Sequence, residues 1–185
     1  MPHEIQILNG TAFQPDGFIP ILTRLQEIFA LPVSLVRAAL NPKAAYDPSR
    51  RQTNSTLLLA QILKGTRDGT EKRIGIVDVD LFIPILTFVF GEAQLGGTAA
   101  IVSTHRLSNQ FYGLARDDAR MLRRLEKELV HELGHTFGLF HCHQFECVMR
   151  ASTYVEEIDL KRVYPCESCA AFLSSSHQSV LSTEY

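Results

Sequence analysis

Two groups of residues in this chain have the types and spacings that chemistry requires. His131-Glu132-Leu133-Gly134-His135 opens the first, HELGHTFGLFH, which runs on through Gly138 to His141. Histidines at i and i+4 of a helix lie one turn apart on one face, so both imidazoles reach a single ion. Glu132 projects to the side, free to hold a metal-bound water. Gly138, three residues past the second histidine, can adopt a left-handed turn that a side chain would disfavour, and so return His141 to the same ion. Three neutral nitrogens leave a fourth position open, the arrangement of a catalytic zinc whose water is acidified and whose proton a nearby carboxylate takes.

The second group is Cys142, Cys147, Cys166 and Cys169, all within one 28-residue stretch that starts directly after His141. The spacing C-x4-C followed by C-x2-C suits a closed, tetrahedral four-sulfur zinc site, hence a structural one. A redox pair at Cys166 and Cys169 would leave Cys142 and Cys147 without a role. His3, His105, His143 and His177 have no partner at ligand spacing and read as surface or hydrogen-bonded side chains, His105 being the most ambiguous of them.

These residues need a scaffold, and hydrophobic periodicity supplies one. Asp117 and Asp118 start a helix predicted to end near Phe137, with Leu122, Leu125, Leu129 and Leu133 recurring at three- and four-residue steps. Glu4 to Leu8 alternates as a strand, and Pro20 to Phe29 has helical spacing. Pro32 to Val36 reads as a short strand, Ser49 as the cap of a helix through Thr56 to Leu63, and Lys72 to Val79 as a buried strand. Within FVFGEAQLGGTAAIVSTHRL, Gly91, Gly96 and Gly97 precede the apolar run Ala99 to Val102. This predicts a loop followed by a strand placed at the sheet edge, a covered inner strand being the alternative that periodicity cannot separate from it. Alternating strands and helices give an α+β fold, a twisted mixed sheet with covering helices and the histidine helix below a cleft.

Composition sets the outer limits. The chain has 185 residues, 18 Lys plus Arg against 20 Asp plus Glu, 45% hydrophobic and 21% charged residues. That excludes a collagen, a disordered tail and a membrane span, and the formal charge of −2 offers no field to gather nucleic acid or acidic lipid. One domain is expected over residues 1–173, divided near 138 into an upper subdomain and a smaller zinc-braced lower one, with 174–185 as a loose tail. MPHEIQILNG lacks the layout of a secretory signal, so a cytoplasmic monomer is expected. Function divides between peptide hydrolysis and a non-catalytic zinc protein whose cysteine lobe contacts a partner. Glu146, Glu156, Glu157, Asp159 and Glu167, partly offset by Arg150, Lys161 and Arg162, disfavour nucleic acid as that partner.

HELGHTFGLFHC, Cys147-Val148-Met149 and Cys166-Glu167-Ser168-Cys169 together resemble the archaemetzincins, a branch of the metzincin zinc peptidases. The resemblance spans Arg51 to Cys169, and RRQTNST and FVFGEAQLGG are also similar to that family. It implies a metzincin-like peptidase with two zinc ions and a peptide substrate, and an upper subdomain whose edge strand runs above the cleft, with Gly97 to Thr104 the candidate segment for pairing with an extended substrate. His131, His135 and His141 would bind the catalytic zinc, with Glu132 the general base. The four cysteines would bind the structural zinc, and Met149 would sit in a Met-turn beneath the first ion. Two departures stand out: the gap from Met149 to Cys166 is one residue shorter than in the family, which bears on Tyr154 to Asp159. No tyrosine follows two residues after Met149, so Tyr154 is not assigned to the metal.

Overall fold

A computed structural model describes residues 2–12, 15–38, 40–66 and 70–178. Five strands form the main sheet: β1 (Glu4–Asn9), β2 (Val33–Arg37), β5 (Glu71–Val77), β7 (Gly91–Ala93) and β8 (Ala99–Ser103). β3 (Tyr46–Asp47), β4 (Gln52–Asn54) and β6 (Leu81–Phe82) make a small second sheet. The helices are α1 (Ile19–Phe29), α2 (Ser55–Lys64), α3 (Asp118–Thr136), α4 (Val155–Leu160) and α5 (Glu167–Gln178). Strand order in the main sheet is β2-β1-β5-β8-β7, parallel except that β7 runs antiparallel to β8. The fold is therefore mixed α+β, with the sheet covered on both faces. Among the described residues, no helix is long and apolar enough to cross a membrane.

Side chains alternate across the sheet and fill two cores. Ile5, Ile7, Ile74, Ile76, Ala100 and Val102 meet α1 and α3 through Leu25, Leu125, Leu129 and Leu133. Leu8, Val77, Ala99 and Ile101 meet α2 through Leu58, Leu59 and Ile62 on the other face. Leu125, Leu129 and Leu133 are fully buried, each contributing about 1.5–3 kcal/mol by leaving water. Asp117 caps α3 by accepting from the Arg120 amide at 2.8 Å, in the helix start that the paired aspartates predict.

Two expectations are corrected. Ala99–Ser103 is not an edge: it lies between β5 and β7, and all five of its residues are buried because α2 and α3 cover opposite faces. The edge is β7, which pairs on one side only. Nor does Ser49 cap α2. Asn54 does, accepting from the Leu57 amide at 3.3 Å, while Ser49 donates to Asp47 in the preceding turn. At the other end, α5 runs to Gln178 and so includes the first residues of the expected tail, whose remainder, 179–185, lies outside the described residues.

Candidate active site

The three histidines converge. α3 presents His131 and His135 on one face, with their Nε2 atoms 3.2 Å apart, and the His141 ring centroid lies 5.3 and 4.9 Å from theirs. One ligand atom from each lies within 4.8 Å of the others. Zn–N bonds of about 2.0–2.1 Å in a tetrahedron put nitrogens about 3.4 Å apart, so the donor set suits zinc. His141 arrives as the glycine rule predicts. Gly138 has φ +95°, its amide donates to the His135 carbonyl and the Leu139 amide to the Gly134 carbonyl, which closes α3 in a Schellman turn.

Main-chain carbonyls orient the rings. His131 Nδ1 is 2.8 Å from the Val148 oxygen and His135 Nδ1 is 2.7 Å from the Leu139 oxygen. A carbonyl only accepts, so both Nδ1 atoms carry the proton and both Nε2 lone pairs face the common point. Burial is the main reason that the imidazoles stay neutral: it lowers His131 far below the ordinary range and lowers His135 and His141 as well.

Glu132 is buried against β7, where only a glycine leaves it room. A Cβ on Gly91 would lie 2.7 Å from Glu132 Cγ, from its Oε1 and from the Ile101 carbonyl. Desolvation, then the nearby Glu128 carboxylate, push the Glu132 carboxyl well above the usual range. A cavity of about 600 Å³ opens over these groups, with Phe88, Phe90, Leu95 and Phe140 among its walls. The RRQTNST stretch holds this architecture in place. Arg50 and Gln52 donate to the Leu86 and Thr87 carbonyls in one cavity wall. Ser55 and Thr56 donate to Glu92 on β7. Lys72 joins the Gly97 loop to the end of α3 through the Gly97 and Thr136 carbonyls, at 2.6 and 2.7 Å.

Met149 is fully buried, with Sδ against the α carbon of Gly134, between the two helical histidines. Its carbonyl accepts from the Cys142 amide at 2.9 Å, linking it to the cysteine lobe. There Cys142 Sγ lies 3.7 Å from Cys166 Sγ and Cys147 Sγ lies 3.9 Å from Cys169 Sγ, and no disulfide forms. Zn–S bonds of about 2.3 Å in a tetrahedron predict edges of about 3.8 Å. The Gln144 amide donates to Cys142 Sγ and the Cys166 amide to Cys147 Sγ. The Ser168 hydroxyl is the first reason that the Cys166 thiol is pulled down to about 6, whereas burial raises Cys147 and Cys169.

Residues 25–175 match the model of peptidase family M54. The chain belongs to that family. Archaemetzincins are similar to it throughout: that of Thermococcus kodakarensis is 40% identical over 139 residues, 75% of either chain. That of Methanopyrus kandleri is 38% identical over 167 residues, 85% of this chain and 91% of the relative. The crystal structure of the Methanopyrus kandleri archaemetzincin superposes with a TM-score of 0.82 at 31% identity, covering 96% of each chain. A zinc-dependent peptidase from Methanocorpusculum labreanum gives 0.83 at 31% identity, covering 91% of this chain and 99% of that one. As an M54 member the chain is a metalloprotease, and peptides are its substrate class.

Within this M54 peptidase, every residue expected at a site falls in one of two clusters or beside it. Tyr154 is exposed and its amide donates to Glu157 at the start of α4, which lies between Met149 and Cys166. His105 packs its ring against Phe111, away from the clusters. Sequence reasoning gave Gly91 and Lys161 no place at the site and did not single out Glu128. FGEA flags a glycine, but what it must clear is set by a helix forty residues later.

Proposed function

We propose that the chain hydrolyses peptide bonds in extended substrates, with His131, His135 and His141 holding a catalytic zinc and Glu132 acting as general base. The convergence of two oriented Nε2 atoms and His141 beside a buried carboxylate carries this reading. Held by His131, His135 and His141, zinc would supply Lewis acidity toward the scissile carbonyl and the attacking water. Glu132 accepts the proton of that water and returns it to the leaving amine. Burial makes its carboxylate a stronger base, and the apolar walls of the cleft exclude competing solvent. The free edge of β7, Gly91–Ala93, pairs with the substrate backbone.

Cys142, Cys147, Cys166 and Cys169 hold a second, structural zinc, giving two ions per chain. Met149 packs beneath the catalytic site without ligating. The cleft divides an upper subdomain, about 1–138, from a lower one, about 139–173, which the cysteine site braces.

Glu132→Gln tests the chemistry. It removes the base and spares the imidazoles, so non-denaturing mass spectrometry should still find both zinc ions while peptide turnover falls by about 10²–10⁴. Unchanged turnover would refute the assignment.

A further inference from the structure

The cleft contains polar groups that the hydrolytic mechanism does not use. Glu128 stands one turn before Glu132 on α3, Lys161 directly follows α4, and Ser152 lies just beyond Met149. All three line the cavity that holds His131 and Glu132. Glu128 is 3% exposed and Lys161 4%. Glu128 Oε1, Lys161 Nζ and Ser152 Oγ are buried without a hydrogen-bond partner. Nζ lies 3.8 Å from Oε1, close enough for an ion pair and too far for a hydrogen bond. Other buried cations here are satisfied: Lys72 by two carbonyls, Arg124 by Asp159 and the Leu107 carbonyl. Buried polar atoms normally have partners, so three without them around one cavity mark a place that a ligand completes.

We infer that Glu128, Lys161 and Ser152 form the floor of a side-chain subsite next to the scissile bond, and that it takes a carboxamide side chain, glutamine or asparagine. The inference rests on the peptidase reading above. The floor offers an acceptor at Glu128, a donor at Lys161 and a hydroxyl that does either. A carboxamide holds its oxygen and nitrogen about 2.3 Å apart, from C=O and C–N bond lengths. Two contacts of about 2.9 Å would span the 3.8 Å between Nζ and Oε1 once these two buried side chains turn toward the cavity. A carboxylate would satisfy Lys161 and set an oxygen against Glu128. An ammonium would do the reverse. An alkyl or thioether chain would leave all three atoms without a hydrogen bond, while Phe88 and Phe90 suit the methylene stem of glutamine.

The test uses zinc-loaded protein and peptides identical except for Gln, Glu or Met, near-isosteric side chains, at either residue flanking the cleaved bond. At one of those positions Gln should exceed both Met and Glu by about tenfold or more in kcat/KM, the direction expected of a site built to hydrogen-bond its substrate. The double variant Glu128→Leu/Lys161→Met removes both charges together and should bring the Gln-to-Met ratio to about one or below. Binding to zinc-loaded Glu132→Gln supplies a readout independent of turnover, and there Gln should again bind about tenfold tighter than Met. A parent enzyme that cleaves Met peptides as well as Gln peptides, or equal binding of the two, would overturn the subsite whether or not the double variant folds. Preserved binding preference with no cleavage of any peptide would instead strike at the hydrolytic reading and leave the subsite standing.

Discussion

Gly91→Ala makes the sharpest demand on the site, because it alters no ligand and no charge. Its Cβ would meet Glu132 Cγ, Glu132 Oε1 and the Ile101 carbonyl, each at 2.7 Å, where ordinary contact begins at 3.4 Å. The shortfall is therefore 3.4 − 2.7, about 0.7 Å. Ile101 belongs to β8, paired on both sides and buried on both faces, so it cannot retreat. Glu132 has to give way. A misplacement approaching 1 Å costs on the order of 10² in rate, and overpacking costs about 1–3 kcal/mol in stability. Steady-state peptide cleavage should thus show kcat/KM down by about 10² with zinc content at the parent value and a modestly lowered thermal midpoint. The reasoning fails if Gly91→Ala keeps kcat/KM within threefold of the parent, and it fails equally if zinc is lost first.

The cysteine lobe and the Asp80–Arg106 ion pair, which stands behind Phe88 of the cleft wall, give two more expectations. On the proposed assignment Cys166→Ser removes one sulfur from a structural zinc site, so zinc per chain should fall from the proposed two to one or none and the thermal midpoint should drop together with catalytic zinc. Full zinc and an unshifted midpoint would contradict a structural role. Asp80 receives Arg106 at 2.5 and 2.7 Å and Gln52 at 3.0 Å. Burial pulls its carboxyl upward, but those contacts outweigh it and hold the group below 3.8. A lowered carboxyl contributes stability above its unfolded value and loses it as pH falls through its folded value. Asp80→Asn should therefore be less stable by about 1.5–3 kcal/mol. Urea unfolding of both proteins should find that gap constant from pH 7 to pH 4 and shrinking only below; a gap already closed at pH 5 would refute the sign.

Local geometry explains what was legible in the sequence. His131 and His135 share a face because a helix repeats every 3.6 residues, and Gly138 returns His141 through a turn that glycine alone adopts easily; neither depends on distant contacts. The four cysteines were legible for a related reason, since thiols this close along the chain have few ways to be apart. What stayed hidden depends on tertiary partners. Ala99–Ser103 is apolar on both faces, a pattern shared by an inner strand and an apolar edge, and only the pairing of β7 decides between them. Glu128 meets Lys161 across 33 residues of chain, and no periodicity announces that contact. Gly91 owes its importance to Glu132, a residue on another element. Asn54 displaced Ser49 as the cap of α2 because Asp47 had already claimed the serine in a tight turn.

The two ligand clusters lie between His131 and Cys169, whereas the central sheet is complete by Ser103. A ribosome adds about 5–20 residues per second, so the 38 residues from 131 to 169 take about 2–8 s. During that interval the growing chain has strands to align and a helix to dock. It does not yet have the Val148 carbonyl that orients His131, nor the last thiol that closes the lower lobe. Both candidate ligand clusters are thus completed only after the sheet that positions them.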